Sequence, residues 1–284
     1  MRFQMVGVGK MFTRVVVCLD GSWLAEQMIP YARGLAEAAH ASLKIIRVVD
    51  FGEDAERVKR YVDSWSELLH CEAETVQVQH EVASTLLGEL WACPDDLPAL
   101  ATRGHSGLLE PLIGSTALGV IRKLGRPVFI LHPFTGKNGR EAFEMKSIIA
   151  ALDGSESSEK ILPFAAEVAH ALRLDLELVQ ALPDVHDRMP PEIKHDVLED
   201  AYLARCAHRL EKEHGLNVRW DVLHGAPAQA ICSYVHGRQG AVLAMTSRAR
   251  KPLEHALLGS VASACVRRAG VPVLIDALPE RAAG

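Results

Sequence analysis

The chain has 284 residues, of which 49% are hydrophobic and 24% are charged, so it is long enough for two domains that each bury a core. Its 31 basic and 36 acidic residues give a formal net charge of −5. This balance argues against a nucleic-acid-binding protein, which needs a basic face to neutralise phosphates. A small anionic ligand held by backbone amides remains compatible with it.

Two further patterns exclude other classes of protein. No run approaches the roughly 20 apolar residues that a bilayer-spanning helix needs, and the first residues lack the apolar segment of a signal peptide. We therefore expect a soluble, cytoplasmic protein without membrane contact. The six cysteines show no C-x-x-C spacing and the 13 histidines form no H-E-x-x-H motif. These patterns predict reduced structural thiols and no metal site.

The sequence contains an internal duplication. VVVCLDGS at residues 15–22 is matched by IIAALDGS at 148–155, an offset of 133 positions. LIGSTALGVIRKLGRPVFIL at 112–131 is matched by LLGSVASACVRRAGVPVLID at 257–276, an offset of 145 positions. Because two ordered blocks recur at nearly constant separation, the chain is predicted to be a tandem repeat, with 12 extra residues in the middle of its second half.

The domain boundaries follow from these blocks. Residues 132–144 form a polar stretch with two glycines and a proline, which is typical of a linker. The sequence predicts one domain at residues 11–133 and another at 144–278.

In chain order, the first half alternates short apolar runs with segments of helical spacing. This alternation predicts an α/β fold, with a doubly wound, Rossmann-like, five-stranded parallel sheet in each half and helices on both faces. The third strand is expected near a sheet edge, and the apolar fifth strands are candidates to pair the halves edge to edge. The predicted strands are 15–19, 43–49, 75–82, 97–102 and 127–131. One predicted helix ends near residue 39, and the other three cover 54–70, 85–92 and 115–123.

Two loops carry the candidate chemistry. Asp20 ends the first strand, and Ala101-x2-Gly104-x9-Gly114-Ser115 follows the fourth. If these strands are neighbours, their loops form the crevice in which open parallel sheets bind ligands. Glycine permits positive φ and a close approach of amides to an anion, and Ser115 at a helix start can receive a phosphate. An ordinary glycine turn, with Ser115 and Asp20 as helix caps, is the structural alternative.

VVVCLDGS, KIIRVVD and ATRGHSGLLEPLIGST together resemble the universal stress protein family, in its tandem form, over nearly the whole chain. The family signature is G-2x-G-9x-G-[ST], and this chain departs from it by an alanine at the first glycine. The resemblance implies a nucleotide-binding, α-hydrolase-like topology and a stress-response or regulatory role. It also implies ATP binding between strands one and four, with Mg²⁺ arriving only with the nucleotide.

The resemblance also assigns residues to each half. Two early glycine positions of the second half hold Thr246 and Ala249, so we expect binding mainly through the first half and a degenerate second site. The first-half assignments are Asp20 and Val48 for adenine and ribose, Leu100, Ala101 and Gly104 for the near wall, and Gly114, Ser115 and Thr116 for the phosphates. The degenerate second site comprises Asp153, Met245, Gly259, Ser260 and Val261.

Two alternatives stay open at this point. The chain is alternatively a scaffold whose pockets have both decayed and which acts through protein contacts, or a slow ATPase that uses the same crevice. No catalytic residue or general base stands out, so we expect a protein that is not an enzyme. The halves would form an intramolecular pseudo-dimer, and association of two chains into a homodimer is left open.

Overall fold

The computed structural model describes residues 12–102, 113–133, 143–183, 196–247 and 258–276. Its first half alternates strands with helices, as the sequence predicts. The elements are β1 (Arg14–Cys18), α1 (Trp23–Glu26), α2 (Met28–Ala38), β2 (Ser42–Val49), α3 (Ala55–Leu69), β3 (Glu72–Gln77), α4 (Val82–Ala92), β4 (Asp96–Ala101), α5 (Ser115–Lys123) and β5 (Pro127–Leu131).

The second half repeats this order of elements, in agreement with the predicted duplication. Its elements are β6 (Ser147–Leu152), α6 (Glu156–Glu159), α7 (Leu162–Leu172), β7 (Asp175–Leu182), α8 (Asp196–His214), β8 (Val218–His224), α9 (Pro227–Val235), β9 (Ala241–Thr246), α10 (Ser260–Arg268) and β10 (Val273–Asp276).

The ten strands of the described residues belong to one sheet, in the order β3-β2-β1-β4-β5-β10-β9-β6-β7-β8. Within each half the strands are parallel, and β1 lies between β2 and β4. The expectations that strands one and four are neighbours and that strand three lies at an edge are therefore confirmed. The fifth strands, β5 and β10, pair antiparallel, with Phe129 opposite Leu274, so the halves join edge to edge as predicted.

Helices cover both faces of this sheet. The core on one face includes buried residues of α2, α3, α7 and α8, and the core on the other includes residues of α4, α5, α9 and α10. Corresponding helices of the two halves thus share a face. On the first face an aromatic pair crosses between the halves, with the Phe12 and Phe164 ring centroids 6.5 Å apart. The Tyr31 ring also lies 4.6 Å from the ring of Phe143 in the predicted linker.

Some boundaries differ from the prediction. The third strand was expected at 75–82, but it occupies Glu72–Gln77 because its parallel ladder with β2 runs from Lys44 opposite Glu72 to Val49 opposite Gln77. Residue 82 instead begins α4, three residues before the predicted helix. The middle of the proposed linker, residues 134–142, lies outside the described residues.

Candidate functional site

A cavity of about 380 Å³ lies at the carboxyl ends of β1 and β4, where the strand order reverses. This volume falls within the range of small-molecule sites. Gly104, which the sequence assigns to the site, lies outside the described residues. The other first-half candidates all line the cavity, namely Asp20, Val48, Leu100, Ala101, Gly114, Ser115 and Thr116.

Asp20 forms part of the cavity wall and closes the turn that follows β1. Its Oδ1 accepts hydrogen bonds from the backbone amide of Ser22 at 2.9 Å and from the Ser22 hydroxyl at 2.6 Å. The Ser22 Oγ accepts in turn from the amide of Ala25 at 3.1 Å and caps α1. The structural alternative made Asp20 the cap of the following helix, but the cap is Ser22. Asp20 instead holds Ser22 and lines the cavity.

The absence of a side chain at Gly114, and not its backbone conformation, is what matters for the site. Its φ is −60°, so the positive φ that glycine permits is not used at this position. Its amide donates to the carbonyl oxygen of Thr102 at 2.7 Å, and a Cβ here would lie 3.3 Å from the same oxygen. Glycine thus lets the start of α5 pack against the end of β4, which brings the helix end to the cavity.

The N-terminus of α5 is the polar end of the cavity. Ser115, Thr116 and Ala117 form its first turn and line the cavity. The first amides of a helix have no acceptor within the helix, and among the described residues no side chain caps α5. Together with the positive end of the helix dipole, these amides make a suitable environment for an anion.

The segment after β4 tolerates the loss of the first signature glycine. Ala101 does not adopt positive φ, so the methyl group costs only some crowding. The next residue, Thr102, is buried, and its Oγ1 lies 2.6 Å from Nδ1 of His132 at the end of β5. Thr102 therefore fixes both the start of α5 and the end of the neighbouring strand.

Arg47 is a cavity residue that the sequence assignment missed. It is 7% exposed, its Nη2 donates to Oε1 of Glu53 at 2.7 Å, and its guanidinium lies over the Tyr61 ring at 5.2 Å. The guanidinium also packs on Gly21, where a Cβ would lie 2.7 Å from Arg47 Nη1. Arg47 and Glu53 both line the cavity. A charged residue inside the apolar run LKIIRVV was the signal that could have identified it.

Comparisons with known proteins agree with this architecture. Residues 144–276 match the model of the universal stress protein family. Universal stress protein Slr1230 of Synechocystis is 24% identical over 303 aligned positions, which cover 92% of this chain and 98% of that protein. Residues 144–276 therefore form a domain of the universal stress protein family, and the chain as a whole is similar to tandem members of that family. Universal stress protein Rv1996 of Mycobacterium tuberculosis is 28% identical over 155 positions, which cover 47% of this chain and 48% of that protein.

A solved structure supports the fold along the chain. The crystal structure of a universal stress protein from Archaeoglobus fulgidus superposes with a TM-score of 0.67 at 18% identity and covers 93% of this chain and 98% of that one. The tandem, Rossmann-like arrangement therefore recurs in this family member.

In the second half, the candidate residues occupy places equivalent to those of the first half. Asp153 follows β6, and its Oδ1 accepts from the amide of Ser155 at 3.0 Å and from the Ser155 hydroxyl at 2.5 Å. The amide of Gly259 donates to the carbonyl oxygen of Ser247 at 2.8 Å, as Gly114 does to Thr102. The φ of Gly259 is −54°. Both glycines therefore serve close packing of a helix start.

The other second-half candidates surround the same helix start. Met245 is buried at the end of β9, which pairs with β6, while Ser260 and Val261 begin α10. At the position of Arg47 stands Gln180, which is 5% exposed. Its Oε1 has no hydrogen-bond partner among the described residues. The second half therefore keeps the backbone frame but changes the side chains that line it.

A second cavity, of about 620 Å³, lies in the second half between the end of β8 and α9. Its walls include Gly225 and Ala226, part of the Gly225-Ala226-Pro227 turn, with Gly225 at φ +114° and Pro227 at the start of α9. The sequence indicates this strand-to-helix turn but not the cavity beside it.

The described residues were also compared with the requirements of a metal site and of a membrane-spanning helix. Within them no group of three or more His, Cys, Asp or Glu side chains is arranged to hold a metal ion. Among the helices of the described ranges, none combines the length and the apolar character that crossing a bilayer requires.

Proposed function

We propose that this protein binds a nucleotide, ATP with its Mg²⁺, in the first-half cavity and acts as a stress-response regulator through the bound state. One observation carries the proposal. Two sequence-distant loops, after β1 and after β4, meet in a single cavity that ends at the uncapped N-terminus of α5. Similarity to the universal stress protein family supports a role in the stress response.

Charge gives the ligand an orientation in this cavity. One side of the cavity is lined by three carboxylates, those of Asp20, Asp50 and Glu53, and Arg47 is the neighbouring cation. Ser115 lies at the helix end of the cavity. Polyphosphate is repelled by carboxylates and attracted by the positive end of a helix. The phosphates therefore belong at α5, and the hydroxyl and amino donors of adenosine face the carboxylates beside Val48.

We infer that the site binds nucleotide without rapid turnover. The Asp20 Oδ1 is held by Ser22, and Glu53 bonds to the Arg47 side chain and to the amide of Asp50. These carboxylate oxygens already accept hydrogen bonds from protein donors, so neither group is positioned as a general base for an attacking water. Magnesium ions would arrive with the nucleotide and be held chiefly by its phosphates.

Isothermal titration calorimetry with matched glycine variants tests the assignment to the first half. In Gly114→Val the branched side chain meets the Thr102 carbonyl at the start of α5. Gly259→Val places the same change in the second half. We expect Mg-ATP to bind the native chain with a Kd below about 1 mM. Gly114→Val is expected to weaken binding at least about tenfold, and Gly259→Val to leave it nearly unchanged.

A ligand series tests the orientation. Affinity is expected to rise from adenosine through AMP to ATP, because each added phosphate approaches the positive end of α5. Equal affinities for adenosine and ATP would contradict a phosphate site at α5. No binding of any member would favour the alternative of a scaffold that works through protein contacts.

A further inference from the structure

Two thiols meet where α9 packs against α10. The Sγ atoms of Cys232 and Cys265 lie 4.0 Å apart, although the residues are 33 positions apart in sequence. Cys265 is fully buried, whereas Cys232 is partly exposed. All six cysteines of the chain are free thiols in this structure.

The duplication supplies an internal comparison for this pair. By the offset of 145, the equivalent first-half residues are Leu87 in α4 and Val120 in α5, both buried in the same core cluster. The first half thus fills the corresponding positions with hydrocarbon. Since apolar residues suffice at these positions, packing alone does not require two sulfur atoms in the second half.

The surroundings of the two sulfur atoms make them unequal. The hydrogen bond with Cys265 lowers the pKa of Cys232 to about 7, against the effect of burial, and the charge of Arg268 lowers it further. The same hydrogen bond, together with burial, raises the pKa of Cys265. By contrast, burial raises the pKa of Cys18 to about 12. Cys232 is therefore suited to act as the thiolate nucleophile, and Cys265 as its resolving partner.

We propose that Cys232 and Cys265 form a site of oxidative modification, at which a hydroperoxide converts the two thiols into a disulfide between α9 and α10. The Cys232 thiolate, whose proton has passed to solvent, attacks one oxygen of the hydroperoxide and forms an S–O bond while the O–O bond breaks. The expelled alkoxide or hydroxide takes a proton from solvent and leaves as alcohol or water. The Cys265 sulfur then attacks the sulfenic sulfur, an S–S bond forms, and the S–O bond breaks. The hydroxide from the broken S–O bond takes the proton of the Cys265 thiol and leaves as water. The thiols lose two electrons, which the hydroperoxide gains.

Only a small movement is needed for this bond. An S–S bond of about 2 Å requires the sulfur atoms to approach by about a further 2 Å, which side-chain rotation and a slight helix shift provide. The bond would tie α9, whose Ala230, Ser233 and Tyr234 line the second cavity, to α10, which begins at Ser260. Oxidation would thus restrict the helix beside that cavity.

Peptide mapping of the full chain after hydrogen peroxide treatment and thiol alkylation tests the proposal. We expect loss of two of the six free thiols and one cross-linked peptide joining residues 232 and 265. Retention of both thiols, or linkage of either one to another cysteine, would overturn the proposal.

Two variants separate the proposed steps from a general effect of oxidation. Cys265→Val introduces the residue found at the first-half position, so the fold should be kept and a sulfenic acid at Cys232 should persist and react with dimedone. Absence of that label would contradict Cys232 as the site of attack. Cys71→Ser is the control, since burial raises the pKa of Cys71, and it should still form the 232–265 disulfide.

Discussion

Single residues at the first-half site serve the fold and the cavity together. Asp20 closes its turn through Ser22 and still lines the cavity, so a structural role and a functional one are both compatible with the geometry. Sequence spacing identified it because it repeats as Asp153. Spacing also identified Gly114, whose φ of −60° needs no glycine but whose close approach to Thr102 does.

Arg47 shows what spacing alone does not reveal. It stands in a buried strand that reads as apolar, and its partner Glu53 lies beyond the strand end. The duplication has no equivalent pair, because Gln180 replaces the arginine. On this strand the family resemblance assigns Val48 and not its neighbour Arg47, so the arginine was absent from the predicted site.

Replacement of Arg47 by methionine is expected to destabilise the fold. The change keeps much of the buried stem but removes the charged hydrogen bond to Glu53, a loss of about 1.5–3 kcal/mol in the free energy of unfolding. Urea unfolding measures this loss in the free energy of unfolding. Arg33→Met removes an exposed ion pair with Glu37 and is expected to change stability by no more than about 0.5 kcal/mol. Equal effects of the two variants would contradict a structural role for buried Arg47.

At the scale of elements, the sequence predicted α5 and β5 to the residue, because Ser115 and Pro127 mark their first positions. It misplaced β3, whose residues alternate in polarity beyond the point where pairing with β2 ends. The strand ladder, which is set by a neighbour, decides that boundary, and local periodicity does not record it. The spacing of the cysteines in the sequence likewise did not reveal that the packing of α9 on α10 brings two thiols close together.

The whole molecule is held by contacts between its halves as well as by β5 and β10. Gly34 lies inside α2, where a Cβ would overlap the carbonyl oxygen of Phe143, a residue of the predicted linker that leads into the second half. Phe143 also contacts Tyr31 from the same helix. The duplication predicted that the halves would pair through their fifth strands, but this contact involves a residue of the predicted linker, whose position the repeat does not specify.

Alanine substitutions at two helical glycines test this contact. Gly34→Ala is expected to destabilise the chain by about 1–3 kcal/mol, because the steric overlap with Phe143 outweighs the gain in helix propensity. Gly88→Ala in α4 meets no atom within 4 Å and is expected to stabilise by about 0.5–1 kcal/mol. Urea unfolding midpoints should therefore move in opposite directions. A stabilising Gly34→Ala would contradict the close approach of Phe143 to α2.

Native mass spectrometry of the full chain with Mg-ATP tests most directly whether the first-half cavity is the nucleotide site. One nucleotide per chain is predicted for the native protein and for Gly259→Val, and its loss is predicted for Gly114→Val. One nucleotide retained by Gly114→Val would contradict binding at the cavity beside α5, and two nucleotides per native chain would contradict a single site in the first half.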